Sequence, residues 1–85
     1  MIDKKSNPVE WALLMYELED TKEHLLNLIN ELQSKKYFDE TDFKIKLGHI
    51  YCHLNKIYHS RNHVGEISDD ELLQYSKLPT DIEPI

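Results

Sequence analysis

The sequence predicts an all-α fold: a long antiparallel two-helix hairpin followed by a short C-terminal helix. Three observations predict it. Apolar residues recur at spacings of three and four over two long segments. All three prolines, Pro8, Pro79 and Pro84, fall in the terminal portions, so nothing between Pro8 and Pro79 interrupts a helix. Each apolar segment is preceded by residues that cap helices.

The first element follows a polar N-terminus, Met1 to Ser6, which is expected to fray. Asn7-Pro8-Val9-Glu10 reads as a helix start, with Asn7 as the cap, Pro8 in the first turn and Glu10 at the capping-box position. Trp11, Leu14, Leu18, Thr21, Leu25, Leu28 and Leu32 then form a heptad-like seam with one polar member. Met15, Leu26 and Ile29 widen it. Helix 1 is predicted over 8–35, about 40 Å long at 1.5 Å per residue.

The polar stretch Ser34 to Tyr37 breaks the pattern. Asp39 is a good cap for the next helix, and Phe38 with Phe43 occupies the staple positions. Phe43, Leu47, Ile50, Leu54 and Ile57 continue at steps of four and three, and Arg61 is the next member of that series. Helix 2 is predicted over 40–63, with Gly65 available to terminate it. Ser68-Asp69-Asp70-Glu71 fits a capping box and Ile67 with Leu72 a staple, so a third helix is predicted over 69–77. Pro79 stops it. The remainder, 78–85, reads as an extended tail that docks through Ile82.

A chain of 85 residues is one small domain. Two helices share a single line of contact, and that line is narrower than either apolar face. The surplus calls for the third helix, for a second copy, or for both. A symmetric homodimer would make a four-helix bundle; another helical protein could take the second copy's place.

Composition excludes several function classes. The net charge of −6 and pI near 5.2 disfavour nucleic-acid binding, which needs a basic surface. No stretch is long and apolar enough for a membrane span. Cys52 is the only cysteine, so no disulfide forms within the chain. Together with an N-terminus that does not resemble a signal peptide, this predicts a cytoplasmic protein. No catalytic constellation is present, and the expected role is that of a non-enzymatic interaction or regulatory protein acting through helix surfaces.

Four of the five histidines lie between Gly48 and His63. With Leu47, Ile50, Leu54 and Ile57 as the buried line, they separate by angle. His49 and His53, four apart, point largely away from that line. They form half a zinc site, for which Glu66, Asp69, Asp70 or a dimer mate would have to supply further ligands. The competing reading is a solvated pair. His24 on helix 1 reads as a surface residue. On the flank of helix 2, Asn55, His59 and Asn62 form a polar strip bordered by Tyr58 and continued by Arg61. The strip is either a small-ligand or anion site, or a set of internal hydrogen bonds that fixes register. Arg61 calls for a carboxylate, and Glu10 or Glu17 of the antiparallel helix 1 is the expected partner.

Two resemblances bear on function. Arg61-Asn62 late in a helix is similar to the motif of helical HEPN ribonucleases. His63 is too close to Arg61 to serve as that motif's histidine, and no histidine follows it, so the activity is not implied. The stretch His53-Leu54-Asn55-Lys56-Ile57-Tyr58-His59-Ser60-Arg61-Asn62, with Leu78-Pro79-Thr80-Asp81-Ile82, resembles a group of small bacterial helical-hairpin proteins of unknown function. That resemblance implies a compact helical fold and ranks Asn55, Tyr58, Arg61 and Asn62 above His49 and His53.

Overall fold

A computed structural model describes the whole chain, Met1–Ile85. It is all-helical: α1 spans Pro8–Ser34, α2 Glu40–His59 and α3 Asp69–Tyr75. α1 and α2 form the hairpin, and α3 packs against α2. The molecule is elongated, with extents of 48 × 29 × 24 Å. Its radius of gyration is 15.0 Å, against about 12 Å for a compact domain of this length.

The predicted starts are present, with one change. Asp39 accepts from the Thr41 N–H at 3.2 Å. The Phe38 and Phe43 rings meet edge to face with centroids 6.5 Å apart. Ser68 and Glu71 form the full capping box, each bond 3.1 Å long. Asn7, however, makes no side-chain cap on α1. Its Oδ1 accepts instead from the backbone N–H of Asp3 at 3.1 Å, and so ties the N-terminal turn together.

That turn corrects the expectation of a frayed terminus. Ile2 is buried, and its N–H donates to the carbonyl of Arg61 at 2.7 Å. An apolar side chain and a backbone bond anchor the segment against the end of α2, where Arg61 has left the helical ladder and its carbonyl is free to accept. α2 ends at His59, four residues before the predicted His63, in a turn over residues 60–62. Gly65 then takes a φ of +90°, a left-handed conformation that favours glycine. α3 stops at Tyr75, two residues before the predicted Lys77.

The hairpin's contact line is rotated from the expected one. On α1 the buried row is Leu14, Thr21 and Leu28. The buried hydroxyl of Thr21 is satisfied by donating to the Glu17 carbonyl at 2.7 Å. On α2 the buried member is Ile50, with Ile57 half-buried, while Leu54 is exposed. That rotation brings hydrogen-bonding side chains together across the hairpin. Glu31 pairs with Lys46, and Glu17 and Asp20 reach His53. With these rows facing each other, part of each apolar face lies outside the contact.

Candidate functional site

Three rows, each at heptad spacing, run along the inner half of α1. Leu14, Thr21 and Leu28 form the contact line. Glu17, His24 and Glu31 flank it on one side, Leu18, Leu25 and Leu32 on the other. α2 has the same order: Ile50 and Ile57 central, Lys46 and His53 to one side, Leu47 and Leu54 to the other. Two antiparallel helices with the same rotational offset place like rows on the same side of the hairpin. The hairpin therefore has a leucine side and a histidine side.

The leucine side is uncovered. Leu18, Leu25, Leu32 and Leu54 are 40%, 45%, 43% and 44% exposed, and Met15 and Ile29 continue the surface. Only six residues in the chain are buried, and no large side chain is completely enclosed. α3 does not close this gap: its Leu72 and Leu73 are themselves exposed.

The histidine side brings His49 and His53 together with a residue read from sequence as an ordinary surface group. Half-buried His24 stacks on His53 with centroids 4.8 Å apart and meets His49 edge-on at 4.6 Å. The His49–His53 centroids are 4.7 Å apart, which makes the triangle nearly equilateral. Nε2 of His49 lies 3.2 Å from Nε2 of His53. Acids of α1 surround the triangle. Glu17 Oε2 is 3.2 Å from His53 Nδ1. Asp20 Oδ2 is 3.6 Å from His24 Nε2 and 3.8 Å from His53 Nε2. Desolvation, then the neighbouring His53 and His24, hold the pKa of His49 below its ordinary 6.5. Glu66, Asp69 and Asp70, the expected sources of further ligands, are not part of this cluster. Cys52 is half-buried outside it.

The polar strip of α2 holds the C-terminal segment. Buried Asn55 donates through Nδ2 to the Ser76 carbonyl at 2.9 Å. His59 donates through Nε2 to the Lys77 carbonyl at 2.9 Å and stacks on Tyr75. His63 donates through Nε2 to the Glu66 carbonyl at 2.8 Å, while its Nδ1 faces the Tyr75 hydroxyl and Glu71. Arg61 lies over the Tyr58 ring, 3.9 Å from its centroid, and donates to the Tyr58 carbonyl. Its carboxylate neighbour is Asp81 of the tail, 3.7 Å away, rather than Glu10 or Glu17. Asn62 is exposed, and so is Ile82, the expected anchor of the tail. Asn55 and His59 thus spend hydrogen bonds on the residues that end α3.

A cleft of about 420 Å³ lies between the first half of α1 and residues 60–67, floored by Ile2, Leu14 and Ile67 and edged by Glu10, Glu17 and His63. No helix is long and apolar enough to cross a membrane. Comparison with protein-family models, with curated proteins and with solved structures finds no match.

The signal that could have recruited His24 was present in the sequence. Once the hairpin is antiparallel with a loop near residue 37, residues whose numbers sum to about 74 lie opposite each other. His24 then faces position 50, between His49 and His53.

Proposed function

We propose that the chain is a small, non-enzymatic interaction protein that works as a homodimer in the cytoplasm. Two hairpins meet through Leu18, Leu25 and Leu32 of α1 and Leu47 and Leu54 of α2, and form a four-helix bundle. One observation carries this reading. A compact monomer of this mass exposes about 5,300 Å², whereas the chain exposes 6814 Å². The surplus, about 1,500 Å² on that scaling, is shared between the extended ends and the leucine side. A standard interface takes about 800 Å² from each partner. A surplus of that order supports the reading that a second copy covers the leucine side.

A second copy is the occupant favoured by symmetry. The leucine side presents one row from each of two antiparallel helices, and such a surface is complementary to itself about a twofold axis. The experiment is the double substitution Leu18→Glu with Leu25→Glu, studied by size-exclusion light scattering. It puts two carboxylates per copy into the dimer seam and none into the hairpin's contact line. The expected result is the mass of one chain with helical circular dichroism retained. A double variant that keeps the wild-type dimer mass would remove the leucine rows from the interface. A wild-type protein that is already monomeric would leave the face to another protein's helix and overturn the homodimer.

A further inference from the structure

We infer that His24, His49 and His53 form a binding centre for a divalent transition metal of the zinc class, with Asp20 as the fourth ligand and Glu17 as the residue that orients His53. Spacing is the first ground. Two nitrogens each 2.0–2.1 Å from a tetrahedral zinc ion lie about 3.3 Å apart. His49 Nε2 and His53 Nε2 are 3.2 Å apart. The candidate ligand nitrogens of all three histidines lie within 4.8 Å of one another. Asp20 Oδ2 lies 3.6 Å from His24 Nε2 and 3.8 Å from His53 Nε2 and would have to move closer to complete a tetrahedral set.

Tautomer is the second ground. A metal-bound histidine commonly gives its other ring N–H to a carboxylate, which fixes the ring and raises its basicity. His53 Nδ1 faces Glu17 Oε2 at 3.2 Å. With Nδ1 as the donor in that bond, Nε2 of His53 carries the lone pair, and it lies 3.2 Å from Nε2 of His49. The neutral imidazole is the form that binds a metal, so ion binding at this centre would release any protons its three rings carry.

Chemistry and access are the third. Imidazole nitrogens with a single carboxylate suit zinc and its neighbours, and disfavour magnesium and calcium, which take oxygen ligands. A groove of about 310 Å³ lined by His24, Glu31, Lys46 and His49 opens the centre to solvent. The Lys46 ammonium, which would oppose a cation, is engaged by Glu31. A bound ion would join α1 to α2 near the middle of the hairpin, on the side away from the leucine rows. The centre is therefore independent of the homodimer.

The test uses metal-free, tag-free protein of full length, titrated with zinc chloride and followed by calorimetry and by the NMR signals of the five imidazoles. Saturation is expected at one ion per chain in the micromolar range, with His24, His49 and His53 shifting and His59 and His63 unmoved. Magnesium chloride is expected to shift none of them. His24→Ala removes a half-exposed ligand without opening the core, and helical circular dichroism verifies its fold. It is expected to weaken zinc binding at least tenfold, a lower bound taken from outer-shell losses. Glu17→Gln is expected to weaken it about 10- to 100-fold. The Leu18→Glu, Leu25→Glu variant is expected to bind as the wild type does. Absence of saturable shifts would overturn the centre. Equal affinity in His24→Ala would reduce it to a two-histidine surface chelate and overturn it as well.

Discussion

Replacing Asn55 by alanine tests how α3 is held. At seven residues α3 is far shorter than the roughly 12–15 needed for an isolated helix to persist in water. Its capping box helps, but none of its side chains is buried. Docking on α2 must supply the rest. Asn55 is 7% exposed and donates to the Ser76 carbonyl, the C-cap of α3, at 2.9 Å. Truncation to alanine removes the bond and leaves a space beside that carbonyl. Stranding a buried polar partner costs about 1–3 kcal/mol. Taking about 2 kcal/mol, the local opening equilibrium of α3 rises about 30-fold. Native-state amide exchange reads this directly. The Leu72 and Ser76 amides, bonded to Ser68 and Leu72 carbonyls, are expected to exchange about 30-fold faster, while amides in the middle of α1 keep their rates. Asn55→Asp should do at least as much, because it turns a carboxylate toward a carbonyl. Equal acceleration in α1 would refute the reasoning, since Asn55 would then belong to the global core. Unchanged exchange in α3 would refute it too.

Other outcomes follow from the same structure. Ile2→Ala should destabilise the chain by about 2 kcal/mol, the low end for buried aliphatic truncations, because the terminal segment can relax; chemical denaturation measures it. Thr21→Val should be neutral or stabilising, since the lost hydroxyl bonds only to a carbonyl of its own helix and leaves no group stranded. The pKa of Glu71 lies below its ordinary 4.5, chiefly through its hydrogen bonds with Ser68, with a further contribution from the charge of His63. A carboxyl whose pKa is lowered on folding stabilises the fold above its unfolded value and loses that contribution as pH falls through the folded one. The α3 amides should therefore lose protection below about pH 4.5, and Glu71→Gln should abolish that acid step.

The fold was legible because its determinants are local. The periodicity from Trp11 to Leu32 and from Phe43 to Ile57, the staple of Phe38 and Phe43 and the box of Ser68 and Glu71 all act within a few residues. What the periodicity could not give was the angle at which the helices meet. Apolar patterning alone placed Leu54 at the contact and His53 outside it. The structure reverses them: His53 reaches Glu17 and Asp20 across the hairpin, and Leu54 is exposed on the leucine side. The same blindness made His24 look solitary, since its partners lie 25 and 29 positions away. Ile2 was missed for a related reason: its anchor, the Arg61 carbonyl, lies at the far end of α2. The carboxylate near Arg61 is neither Glu10 nor Glu17: the tail, whose path carries no periodic signal, supplies Asp81.

In the proposed homodimer a second copy covers the leucine side. Sedimentation equilibrium of the full chain over a range of concentrations, with and without EDTA, tests it most directly. Twice the chain mass is expected in both conditions, because the interface is apolar and lies opposite the histidine centre. A single-chain mass at every concentration would contradict it, and so would a dimer that dissociates when metal is removed.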